Sequence, residues 1–142
     1  MKKYCLVIFS LLGVSIFSFD NYIGFTPKEI VNQFGSPDFV YTLRGSRPEE
    51  DDVVFFYDSR LYIYFNQNRV WQLRVDEQTP FEINGIKMGD SKEKVSSILG
   101  EIYEEKEDSL VFKRPDAGYP VYIKLFFSGA GVNDIYMYRG DY

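Results

Sequence analysis

The feature that most constrains this chain is a helix signature written twice. "GFTPKEIVNQFGSPD" (24–38) and "GDSKEKVSSILGEIY" (89–103) each place a start signal, an apolar stripe and a stop between two glycines. In the first, Thr26 and Glu29 form a T-x-x-E capping box, and Pro27 takes the first helical position, where its missing N–H costs nothing. Ile30, Val31 and Phe34 make the stripe, Gly35 supplies a left-handed stop, and Pro37 prevents continuation. In the second, Asp90 with Glu93, or Ser91 alone, can cap the helix; Val95, Ile98 and Leu99 make the stripe and Gly100 ends it. Thr26 and Ser91, Ile30 and Val95, and Phe34 and Leu99 are each 65 residues apart.

The segments after the two signatures are also alike. "DFVYTL", "DVVFFYD", "RLYIYFNQ" and "NRVWQLRV" come after the first; "EIYEEKE", "SLVFKRP", "YPVYIKLFFSG" and "NDIYMYRG" come after the second. These runs alternate with period two and are broken by turn residues, so they read as strands. One hairpin is expected over Asn66, Gln67 and Asn68 and another through Gly129 and Gly131, with residues 76–85 as a linker. A helix with a short meander buries one sheet face, and two such units side by side share a core. The expected fold is therefore α+β: two tandem helix-plus-β-meander repeats, residues 19–78 and 79–142, with the helices packed on one face of an antiparallel sheet. Alternation assigns Leu61, Ile63, Phe65, Leu73 and Val75, then Val121, Ile123, Leu125, Phe127, Ile135 and Met137, to the core. Trp71 falls in phase with Leu73 and Val75.

Gly24, Phe25, Thr26, Glu29, Ile30, Phe34, Gly35 and Pro37 spell a helix that resembles the signature of the SmpA/OmlA (BamE) outer-membrane assembly proteins. Tandem copies of such a unit are similar to the β-lactamase inhibitory protein fold. Gly89, Val95, Leu99 and Gly100 repeat the pattern, with Ile102 where the proline would stand. The resemblance implies a fold of that kind and a function in binding proteins rather than in catalysis. The chain departs from both families: it carries no lipobox, and it lacks the cysteines for disulfides.

The first eighteen residues read as a secretory signal peptide. Lys2 and Lys3 precede the apolar run "CLVIFSLLGVSIF", which is short for a membrane span of ~20 residues, and cleavage after Ser15 or after Ser18 is expected. Cys5, the single cysteine, begins that run, so the exported chain would hold no thiol and no disulfide. Without Lys2 and Lys3, 14 basic residues stand against 21 acidic ones, a net charge of −7. Such a surface repels phosphate backbones and anionic lipid, so neither nucleic acid nor a membrane surface is the expected partner. An exported protein, periplasmic, extracellular or associated with an outer membrane, is expected, with no integral membrane span after cleavage.

The chain has no histidine. That removes the commonest general base at neutral pH, the usual nucleophile–histidine pairs and the commonest zinc ligand. "SGAGVND" (128–134) lacks the lysine and following helix of a phosphate loop. The carboxylates of "PEEDD" (48–52) lack the alternation of a calcium loop and read as a solvated segment. No cofactor, no metal and no enzymatic activity are expected. The second sheet face carries Tyr62, Tyr64 and Arg74, then Tyr122, Lys124, Phe126, Tyr136 and Tyr138, with Gln72 among them. Tyr and Arg favour interfaces because they bury area at little entropy cost, whereas tyrosine also sits well on any half-exposed strand. Binding of another envelope or extracellular protein through this face is the leading expectation. An outer-membrane assembly accessory, a carboxylate-dependent glycan hydrolase and a carrier of small apolar ligands are the competing ones.

Overall fold

The computed structural model of the protein describes residues 16–142. The signal-peptide reading of Lys2, Lys3, Cys5 and the run to Ser15 lies outside the described residues. Ile16–Phe17 form a short strand, β1, and residues Phe19–Tyr22 a single 3-10 turn.

The caps decide where the α-helices start. Helix α1 (Pro27–Phe34) opens on Thr26, whose Oγ1 accepts from the Glu29 N–H while the Glu29 carboxylate accepts from the Thr26 N–H at 2.7 Å. Helix α2 (Lys92–Leu99) opens on Ser91, whose Oγ accepts from the Lys94 N–H. Asp90 serves the preceding turn instead, accepting from the Lys87 N–H at 2.9 Å. Each helix has eight residues, two turns or about 12 Å, and each buries one side chain fully, Ile30 and Val95.

The rest of the described structure is dominated by one sheet. Its strands are β2 (Phe39–Leu43), β3 (Asp52–Tyr57), β4 (Leu61–Asn66), β5 (Arg69–Asp76), β7 (Glu104–Glu105), β8 (Ser109–Lys113), β9 (Val121–Ser128) and β10 (Gly131–Arg139). A further short strand, β6 (Glu82–Ile83), pairs in parallel with β1. The eight strands are ordered β2-β3-β4-β5-β10-β9-β8-β7, antiparallel throughout, so two meanders meet at a seam between β5 and β10.

This corrects the expected fold class. The described residues form a mainly-β fold built on one eight-stranded antiparallel sheet with two short α-helices, rather than an α+β pair of helix-plus-meander repeats. The physical reason is length. Two helices of two turns, each with one fully buried residue, are too small to make a layer of their own. Short elements and the chain between them complete the cover of the core face: Phe19 of the 3-10 turn, Ile23, Ile83 of β6 and Ile86 are buried in the same cluster as Leu61, Leu73, Leu125 and Ile135. Residues 76–85 are thus not a loose linker. Phe17 packs on Phe81 and Phe34, with ring centroids 4.5 and 5.6 Å apart. Asp20 ties this segment across the molecule, accepting from Asn84 Nδ2 at 2.6 Å and from Arg114 Nε at 2.9 Å.

The alternation holds along most strands. All the core residues expected from it are buried except Phe127, which is half-buried against the cluster. Trp71 is the departure. The β4–β5 register steps from Tyr64↔Gln72 to Phe65↔Val70, so Trp71 is the extra residue of a β-bulge. Val70 takes the core position, and Trp71 turns to the opposite face. The two-residue turn below it, Gln67–Asn68, has φ of 48° and 59°, the left-handed pair that a tight hairpin demands. The β9–β10 hairpin has a matching bulge at Asn133, between Val132↔Phe127 and Asp134↔Phe126.

Candidate functional site

Because α1 and α2 both lie on the core face, no α-helix among the described residues covers the other face of the sheet. Register assembles it into rows. One row runs Phe39, Phe56, Tyr62, Arg74, Tyr136, Lys124, Val111, Glu104 across all eight strands. A neighbouring row runs Tyr41, Val54, Tyr64, Gln72, Tyr138, Tyr122, Lys113. Seven of the eight residues assigned to this face from sequence stand in these two rows, and Phe126, two residues after Lys124 on β9, shares their face one row further on, opposite Asp134.

Arg74 is the hub. Its guanidinium donates to both oxygens of Asp134, with Nη2 at 2.6 Å, and sits over the rings of Tyr62 at 5.0 Å and Tyr136 at 5.3 Å. The bonds to Asp134 raise its pKa despite the cost of burial, so its charge is permanent. Beside it Arg60 donates to both oxygens of Asp76, which also accepts from Tyr62 Oη at 3.2 Å. Burial pushes the Asp76 carboxyl up, but Arg60, the Gln78 N–H and Tyr62 outweigh it and hold it below the usual range. Burial raises the phenols of Tyr62, Tyr136 and Tyr138, and takes Tyr64 to about 12. At neutral pH the face therefore presents uncharged hydroxyls, aromatic edges and fixed cations. Its carboxylates at the seam are already engaged.

The eight residues do not contribute equally. Tyr64 is only 8% exposed, so it supports its neighbours rather than meeting a ligand. Tyr122 and Tyr138 pair with centroids 5.8 Å apart, and Phe126 meets Tyr136 edge-on at 5.8 Å. Lys124 lies 4.7 Å above the Phe126 ring and forms no ion pair among the described residues.

Over β5, β10 and β9, Gln72, Lys124, Phe126, Tyr136 and Tyr138 line a shallow groove of about 410 Å³, with Tyr62 and Arg74 on the same face beside it. Trp71, Gln72 and Tyr138 lie toward one end, Lys124, Phe126 and Tyr136 toward the other. Tyr142 closes the Trp71 end: it stacks on Trp71 at 5.7 Å with planes 17° apart, and Arg139 sits 4.9 Å from the Tyr142 ring while bonding Asp141 at 2.7 Å. Sequence reasoning missed Trp71 because period-two alternation assumes no bulge. It missed Tyr142 because nothing local says that the segment after β10 folds back onto Trp71.

In the acidic segment 48–52, Pro48–Glu50 form a short 3-10 turn held by arginines, and Asp52 opens β3 and accepts from Asn66 Nδ2 at 3.4 Å. Arg47 donates to Glu50 at 2.7 Å and Arg44 pairs with Asp51, whose Oδ1 also accepts from the Gly45 N–H. The Glu50 and Asp51 carboxylates serve the loop itself.

No family model matches the chain, and a search among curated proteins likewise found no match. Among solved structures, the fold is similar to that of an extracellular protein containing a SCP domain from Bacillus anthracis str. Ames. The TM-score is 0.56 at 12% identity, over 88% of this chain and 46% of that one. This likeness shows a shared fold, and the chain spans less than half of the neighbour's length. The neighbour belongs to neither family that the helix signature resembles.

Proposed function

We propose that this chain is an exported, non-catalytic binding module that receives another extracytoplasmic protein on the groove face of its sheet. The observation that carries the reading is the Tyr62–Arg74–Tyr136 stack, anchored by the bidentate Arg74–Asp134 pair. A guanidinium held in place by a fixed carboxylate gives its flanking rings few rotamers to lose on binding, which is the economy of a preorganised interface. Lys124 adds an uncommitted cation at the groove, in a chain whose net charge is −5, and so favours a partner offering a carboxylate there. Export is supported by the basic and apolar N-terminal sequence. A fold shared with part of an extracellular protein is in keeping with it.

The test is a crosslinking pull-down from envelope or culture-fluid extract with the wild-type chain and a Phe126→Ser/Tyr136→Ser variant. One stoichiometric protein, retained in high salt by the wild type and lost from the variant, supports the reading. Equal retention by both would move the binding surface elsewhere, and no retained protein would sink the module reading. A second reading, a carrier of a small planar ligand, is favoured by the groove's volume and aromatic walls. Quenching of Trp71 fluorescence by such a ligand without any protein partner would select it.

A further inference from the structure

The two edges of the eight-stranded sheet are treated differently. At one end β7 is two residues long, Glu104–Glu105, and a short, doubly charged strand repels addition of another. At the other end β2 is five residues, FVYTL, with no charge, proline or bulge inside it. All five residues are exposed, Phe39 to 65% and Val40 to 57%. A long, flat, apolar edge with unpaired N–H and C=O groups is a template for another strand.

We propose that β2 pairs antiparallel with β2 of a second copy of this chain, about a two-fold axis through Tyr41. The sequence around that axis is self-complementary. With Tyr41 opposite Tyr41 of the other copy, Phe39 meets Leu43 on the groove face, and Val40 meets Thr42 on the core side. These are aromatic–aliphatic and β-branched cross-strand pairs of the kind that stabilise sheets. One step further out, Asp38 of one copy stands opposite Arg44 of the other, twice by symmetry. The Arg44 side chain is 80% exposed and holds Asp51 through one nitrogen, leaving the rest of its fork free. Centring the axis on Val40 or on Thr42 instead puts Asp38 opposite Thr42, or Arg44 opposite Val40, with no opposite charge to meet. The pairing is isologous, so it closes after two copies, and the charged β7 edges prevent extension into a filament. A perpendicular two-fold also keeps both grooves on one side of a continuous sheet. This proposal goes beyond the binding role of the groove and does not depend on it.

Five paired residues a side fall short of the ~1,600 Å² of a standard interface, so the dimer forms at micromolar concentrations, about 10–100 µM. Sedimentation velocity on the purified protein across about 1–500 µM reads it directly. The expected result is a mass that doubles over that range in wild type and stays at one chain in Tyr41→Lys, which sets two ammonium groups against each other at the axis. Arg44→Glu is expected to weaken association at least tenfold, and Asp38→Lys/Arg44→Glu to restore it. Circular dichroism and a thermal melt on each variant separate lost pairing from lost folding. A wild-type chain that remains monomeric to about 500 µM overturns the proposal, as does a dimer untouched by Tyr41→Lys. A monomer that captures a different protein only while Tyr41 is intact also overturns self-pairing, and assigns the edge to a foreign strand.

Discussion

Asp76 and Asp134 stand directly opposite each other across the β5–β10 seam, and each is neutralised by its own arginine, Arg60 and Arg74. Like charges facing across a strand pair are destabilising, so the seam holds because both arginines are in place. Arg74→Met leaves Asp134 uncompensated beside Asp76. It is expected to cost about 1–3 kcal/mol in urea denaturation, discounted from a fully buried pair because both partners keep some solvent contact. Asp134→Asn added to Arg74→Met should recover much of the loss. If the two losses simply add, the seam is not where the stability lies.

The same kind of tethered carboxylate sets the acid limb of stability. Burial pushes both Asp76 and Asp20 up. On balance Arg60 lowers Asp76, and Arg114, Asn84 and Ser18 lower Asp20. A carboxyl held below its unfolded value of about 3.9 contributes stability that is present above that pH and is lost as pH falls through the folded value. Denaturant midpoints should therefore drop below about pH 4, and less steeply in Asp20→Asn. An acid limb of equal slope in that variant would remove Asp20 as its source.

Tyr64 governs the alkaline side. Burial raises its phenol to about 12 against an unfolded value of about 10. Its contribution is fully present below pH 10 and is lost as pH rises toward 12, because the folded state retains a proton that the unfolded chain gives up. Tyrosinate absorbance should show a late phase near pH 12 that disappears in Tyr64→Phe.

Gly131 tests the close approach of the start of β10 to the turn before α2. Its φ is +97°, and a Cβ there would collide with the Gly89 carbonyl, whose own N–H donates to Val132 O at 2.8 Å. Gly131→Ala is expected to cost about 2–4 kcal/mol in a chemical melt. Gly129→Ala, two residues away and open to space, should fall within about 0.5 kcal/mol of wild type.

The proposed export carries a further prediction, the start of the mature chain. Phe17 packs on Phe34 and Phe81, and its carbonyl accepts from the Asn84 N–H at 2.7 Å. Cleavage after Ser15 keeps these contacts and cleavage after Ser18 removes them, so under the proposed export the intact mass of the mature protein is expected to begin at Ile16. A mass beginning at Phe19 would show that the chain holds without β1.

The sequence by itself determined what is local. The Thr26–Glu29 box, the Ser91 cap and the glycine stops act within four residues, and period-two alternation sorts Leu61, Ile63 and Leu73 from Tyr62, Gln72 and Arg74 because successive side chains leave a strand on opposite sides. Only the tertiary structure decided what is distant or irregular. It set the β5–β10 seam, whose Arg74–Asp134 bonds span 60 residues, and the Asp20–Arg114 tie across 94. It also placed the bulge that turns Trp71 onto the groove face to meet Tyr142. Pairing of remote edges depends on which surfaces are buried together, and a single inserted residue reverses the facing of its neighbours. Neither is written in any window of a few residues. That is why Lys124, Phe126, Tyr136 and Tyr138 could be placed on one face in advance, while the groove's shape, its wall of Trp71 and Tyr142 and the β2 edge could not.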